Sequence, residues 1–178
     1  MLRVDPLRKL GGVPCIHQRE GSHAPCAIHG LPERPNLCGD YRCAWLRGQY
    51  EDADRPDRVG AVLDVSLRAG LPLLSIREAR AGAFDASPRL QEIARSHRET
   101  MEVRITCADD AMNADRPYRV LLPDGEEHRI EGERTTVLRG GEIVSRQRMP
   151  LIERTVRRIS LALQRRRLRG YRGSHTIR

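Results

Sequence analysis

Four of the chain's five cysteines stand at positions 15, 26, 38 and 43, in a stretch where no apolar repeat survives. "GGVPC", "HAPC" and "LPERPNLC" interrupt any helical or strand period between residues 11 and 45 with Gly and Pro. Such a segment is confined to irregular loops, with at most a short helix near residues 40–49. With little apolar surface to bury, it needs a staple, and a metal is one that a small loop-rich module can use.

The opening "MLRVDPLRKL" has no apolar run behind a basic stub, and no stretch approaches the roughly 18 apolar residues of a membrane span. The expectation is a cytoplasmic chain with no membrane partner. Thiols stay reduced there, so clustered cysteines read as a metal site or a reactive site rather than a disulfide framework. In an exported chain the same four would pair in one of three ways.

Ten, eleven and four residues separate the four cysteines, and the C-x2-C knuckles of zinc ribbons are missing. Four thiolates close a tetrahedral shell around Zn2+, at about 2.3 Å per sulfur, or carry an iron–sulfur cluster. The candidate ligands are therefore Cys15, Cys26, Cys38 and Cys43, with the interleaved His17 and His23 in reserve. Trp45, the only tryptophan, is expected to pack over the site and screen it from water, and Arg34 either to donate N–H groups toward its net negative charge or to stabilise a turn through a salt link.

The runs "PCIH", the Cys26 that precedes Ala-Ile-His, "RPNLCGDYRCAWL" and "RPDRVGAV" resemble the bacterial YkgJ-like cysteine-cluster family. The resemblance covers residues 14–62 and implies a protein that chelates zinc or iron. By position, Cys15, Cys26, Cys38 and Cys43 match cluster cysteines, Arg34-Pro35 matches the family's Arg-Pro, and Trp45 matches its tryptophan. Gln18 stands where the family pattern has the second cysteine of an opening pair, which leaves four thiols for one metal.

After "EDADRPDRVG" the pattern changes. "GAVLDVSL" and "LPLLSIREAR" predict strands, and "SPRLQEIARSHRET" predicts a helix with Ser87 as N-cap, Pro88 at the first helical position and Leu90, Ile93, Ala94 and His97 on one side. "MEVRITCA" alternates Val103, Ile105 and Cys107 onto one strand face, making Cys107 a core residue. "PDG" at 123–125 and "GG" at 140–141, each flanked by short apolar runs, predict two hairpins. From Pro150 the period becomes helical, with Ile152, Val156, Ile159 and Leu163 on one stripe. The expected fold class is α+β. A loop-rich cysteine module (1–50) sits on a body (51–150) of a small mixed or antiparallel sheet with one packed helix, followed by a basic amphipathic helix and tail (151–178).

The formal charge of +8 has one location. Residues 151–178 hold nine arginines against Glu153, and the rest of the chain balances 23 basic against 23 acidic residues. If the apolar stripe docks on the sheet, Arg158, Arg165, Arg166, Arg167 and Arg169 are offered to a nucleic acid, another polyanion or an acidic protein. With aromatics at 3% and Tyr171 the only one in this tail, base stacking is scarcely provided for.

The leading expectation is a metal-binding protein with Zn2+, alternatively an Fe–S cluster, in a mainly structural role. One alternative is a polyanion-binding accessory protein. Another is a metal-dependent enzyme with an open coordination position and His17 or His23 as proton carrier. No catalytic residue is assigned: His97 and His128 have acidic candidates nearby in sequence (Asp109, Asp110, Glu126), but no nucleophile elbow, P-loop or HExxH accompanies them.

Overall fold

The computed structural model describes residues 3–10, 15–17, 26–107 and 116–171. Its elements in chain order are α1 (Asn36–Asp40), α2 (Pro56–Val59), β1 (Ala61–Arg68), β2 (Leu71–Glu78), α3 (Ala83–Ala86), α4 (Pro88–Arg98) and β3 (Glu102–Cys107). Then follow β4 (Tyr118–Leu121), β5 (Glu126–Glu131), β6 (Arg134–Arg139), β7 (Glu142–Arg148) and α5 (Leu151–Arg167). Short 3-10 turns occupy Asp5–Leu7 and Asp52–Asp54. The class is α+β as expected, but the sheet is large rather than small: among the described residues seven strands form one mixed sheet in chain order.

The mixed character has a single cause. Every neighbouring pair is antiparallel except β2 and β3, which run parallel and are joined through α3 and α4. A parallel connection needs a crossover, and a helix is its usual form. The α4 start is built as its sequence dictates: Ser87 Oγ accepts the Leu90 N–H at 3.3 Å, and Pro88 fills the first turn without wasting a donor. The expected inner side, Leu90, Ile93 and Ala94, is buried.

The core lies between that helix and the first four strands. Leu63, Leu74, Ile76, Val103, Ile105 and Leu121 from the sheet meet Phe84, Leu90 and Ile93, and Ala44 joins them from the N-terminal segment. Cys107 is buried at the end of β3. Beyond β4 the sheet has little interior: β5 and β7 contain no buried residue, and β6 contributes Val137 and Leu138. Both predicted hairpins form, and at the β6–β7 turn Gly140 and Gly141 take φ of 61° and 89°, the left-handed pair that a tight two-residue hairpin requires.

The N-terminal segment docks along β1, the edge strand. Ala44 N–H donates to Leu63 O at 2.9 Å, and the Arg47 guanidinium reaches Asp64 at 2.8 Å and Val65 O at 3.3 Å. A free strand edge is thereby covered. A second tie is Asp54, 1% exposed, whose carboxylate accepts from Arg89 of α4 at 2.7 and 3.0 Å and from the Glu51 N–H at 3.1 Å.

Candidate functional site

The cysteine segment is a chain of turns. Ala27 N–H donates to His17 O at 2.7 Å, which lays residues 15–17 beside Cys26. Further turns close from His29 to Cys26 O and from Arg34 to Leu31 O, before Cys38 enters α1 with its N–H on Pro35 O at 2.9 Å. Cys43 is the fixed point, 4% exposed and next to fully buried Ala44, whereas Cys15, Cys26 and Cys38 are half-buried. None of the cysteines is in a disulfide.

The donor chemistry suits a thiophilic metal; the placement does not complete a site. Among the described residues no three of His, Cys, Asp and Glu converge as a ligand set. His23 lies outside the described residues. Arg34 has a local duty, its guanidinium donating to Cys38 O at 2.5 Å and so bracing α1. Trp45, half-buried, carries the Arg55 guanidinium 5.7 Å from its ring centre.

Two histidines that attract a catalytic reading have structural partners. His97 Nδ1 lies 2.9 Å from Ile93 O, so that nitrogen carries the proton; Nε2, 3.2 Å from Tyr50 Oη, then accepts the phenol's hydrogen. His128 Nε2 is 3.1 Å from Glu126, which also takes Arg139 at 2.7 Å. A cavity of about 480 Å³ opens at the C-terminal ends of β2 and β3, where Glu78, Asp85 and Glu131 face Arg116, Arg119 and Arg129. Several of its charged groups have partners already: Arg119 holds Asp85 at 2.8 Å, Arg129 holds Glu127 at 2.7 Å, and Glu78 accepts the Phe84 N–H at 2.7 Å.

The basic helix departs from expectation. Its stripe of Ile152, Val156, Ile159 and Leu163 does not dock on the sheet: these residues are 80%, 62%, 57% and 63% exposed. The reason lies in what holds the helix, which is the turn between β5 and β6 rather than a buried sheet face, since β5 and β7 bury nothing. The turn between β5 and β6 offers polar acceptors instead. Arg157 donates to Gly132 O at 2.6 Å, and Glu133 is approached by Arg158 at 3.1 Å, Arg154 at 3.4 Å and Arg148 at 3.9 Å. Burial pushes the Glu133 carboxyl up, but hydrogen bonds and charge from Arg158 and Arg154 outweigh it and hold the group below the usual carboxylate range.

A cleft of about 290 Å³ results, lined by Glu133, Arg157, Arg158, Leu161 and Arg165. Arg148 and Arg154 border the same carboxylate, so five guanidinium groups gather around one acid. Arg154, outside the cleft lining, has its Nε buried with no hydrogen-bond partner. Of the arginines expected to meet a polyanion, Arg158 and Arg165 line this cleft, and Arg166, Arg167 and Arg169 are exposed beyond it. Sequence reasoning missed Arg148, Arg154, Arg157 and Glu133. The spacing of 154, 157, 158, 161 and 165 marks a second helix face opposite the apolar stripe, a signal that assigning the apolar stripe inward conceals.

No helix among the described residues is long and apolar enough to cross a membrane. Comparison with protein-family models, curated proteins and solved structures returns no match.

Proposed function

We propose that the chain is a metal-binding protein of the YkgJ-like cysteine-cluster type, in which Cys15, Cys26, Cys38 and Cys43 hold one Zn2+ or, alternatively, an iron–sulfur cluster in a mainly structural role. The observation that carries this reading is the lack of any buried side chain from residue 26 to residue 42. Leu31 and Leu37 are 50% and 44% exposed, so the segment gains little from apolar burial. Ordering a backbone costs on the order of 1–2 kcal/mol per residue. Structural zinc releases about 10–16 kcal/mol, which offsets a large part of that cost beside the turn hydrogen bonds the segment already makes. The same lack of packing lets the half-buried thiols close on Cys43 at small structural cost. A reducing cytoplasm is the compartment that keeps four such thiols available.

Elemental analysis of protein purified without oxygen tests this. One zinc per chain, or iron with visible charge-transfer absorbance, is the expected result, lost in Cys26→Ser and Cys38→Ser. Metal-free protein with residues 26–42 protected from proteolysis refutes it.

A second reading is favoured by the guanidinium cleft. Its lining sets Arg157, Arg158 and Arg165 against Glu133 alone, an excess of positive charge that suits a phosphate, and arginine forks match phosphate geometry. Nucleic acid is the polyanion this reading takes. Anisotropy titration of a fluorescent DNA duplex against the full chain is expected to show salt-dependent binding. Arg158→Glu with Arg165→Glu lowers the log–log salt slope by about 2; a slope unchanged by that variant, or no binding at low salt, removes the reading.

A further inference from the structure

Helix α5 is amphipathic in the wrong direction for a helix that packs only on its own body. Its inward face is Arg154, Arg157 and Leu161, all partly buried, and Leu168 just past its end is fully buried. The four exposed aliphatics lie about half a turn away, at steps of four, three and four residues. That spacing is the narrow seam by which two helices pack against each other. The residues bordering it through the first three turns are Glu153, Thr155, Ser160 and Ala162, none of them basic.

We propose that this outer face is the interface of a two-fold homodimer, with α5 lying antiparallel against α5 of a second copy. Centred between Arg157 and Arg158, the pairing sets Ile152 opposite Leu163, and Val156 opposite Ile159, of the other chain. Charge selects the direction. Glu153 is the only acid of α5 and stands at its N-terminal end, while Arg165, Arg166 and Arg167 crowd its last turn. Antiparallel packing brings each Glu153 toward the other copy's arginine-rich end and opposes the helix dipoles; parallel packing stacks six arginines together. A second copy is favoured over an anionic lipid surface because the polar-face arginines that would meet lipid headgroups, Arg154, Arg157 and Arg158, are engaged by Gly132 and Glu133, and only Arg166 and Arg167 flank the stripe, in its last turn. Four aliphatics 57–80% exposed make a continuous face whose burial falls toward the small end of specific interfaces. The dimer leaves both guanidinium clefts open on its outer sides.

Sedimentation equilibrium of the full chain over a hundredfold concentration range tests the proposal. A monomer–dimer equilibrium is expected. Val156→Glu with Ile159→Glu, at positions already exposed, raises the dissociation constant at least a hundredfold without changing the circular dichroism. Glu153→Arg weakens the dimer about tenfold, and adding Arg166→Glu and Arg167→Glu to it restores the affinity. A monomer at every concentration, or a dimer indifferent to Val156→Glu with Ile159→Glu, overturns it. So does a wild-type monomer that floats with phosphatidylserine-containing vesicles while that variant does not.

Discussion

Asp54 is where the cysteine segment is riveted to the body, and Asp54→Asn isolates the strength of that rivet. The carboxylate is 1% exposed and accepts three hydrogen bonds: two from Arg89, at 2.7 and 3.0 Å, and one from the Glu51 N–H at 3.1 Å. An asparagine keeps the shape but presents an NH2 group to donors at one side, so at least one buried partner is lost. A hydrogen bond to a charged group contributes about 1.5–3 kcal/mol. Because the Arg89 side chain is 39% exposed, solvent screens part of that, and the expected loss is about 2 kcal/mol. For a chain of this size it appears as a melting point lower by about 4–8 °C. The pH dependence fixes the cause. Hydrogen bonding from Arg89 outweighs burial and lowers the Asp54 pKa. Its contribution is therefore fully present above the unfolded value of about 3.9 and disappears as pH falls through the lower folded value. Urea titrations of both proteins at pH 7 and at successively lower pH should show a gap that closes only below about pH 4. Equal midpoints at pH 7, or a gap that persists undiminished at the acid end, would show that the ion pair does not anchor the segment.

Two further outcomes follow from the packing. Leu90→Ala removes a fully buried side chain at the centre of the α4–sheet interface and should cost about 3 kcal/mol by urea denaturation, within the range for core truncations. Chelation of metal-loaded protein should shift the emission of Trp45, the only tryptophan, while leaving the far-ultraviolet signature of the sheet in place; simultaneous loss of both would mean that the body depends on the metal.

The body was legible because its periods are strong and agree with their turns. Ser87-Pro88 announces α4, alternation announces β3, and the Gly140-Gly141 pair announces a hairpin that the φ angles then require. The strands were legible, but sheet size was not: β5 (EEHRIE) and β7 (EIVSRQR) bury nothing, so no apolar face tells that both hairpins extend the same seven-stranded sheet. Nor was the inward face of α5. The rule that an apolar stripe faces the body presupposes an apolar surface to receive it, and the far half of the sheet supplies a carboxylate and a carbonyl instead. The cysteine ligands were visible as residue types, but convergence in space is not coded by spacings of ten, eleven and four.

These departures share a physical cause. The hydrophobic cluster is concentrated between β1–β4 and α4, and the cysteine segment contributes to it chiefly through Ala44, with Tyr50 packed at its margin. The position of the core confines the expected effect of losing Cys38 to the N-terminal segment, whereas Cys43, buried beside Ala44, reaches the body. At the opposite end, β7 exposes Ile143 and Val144, and α5 exposes its stripe, all outside the hydrophobic cluster. Both ends are thus elements that the chain's own core does not complete, which is why their stability is expected to track the occupants proposed for them, a metal at one and a second copy at the other, while the middle stands alone.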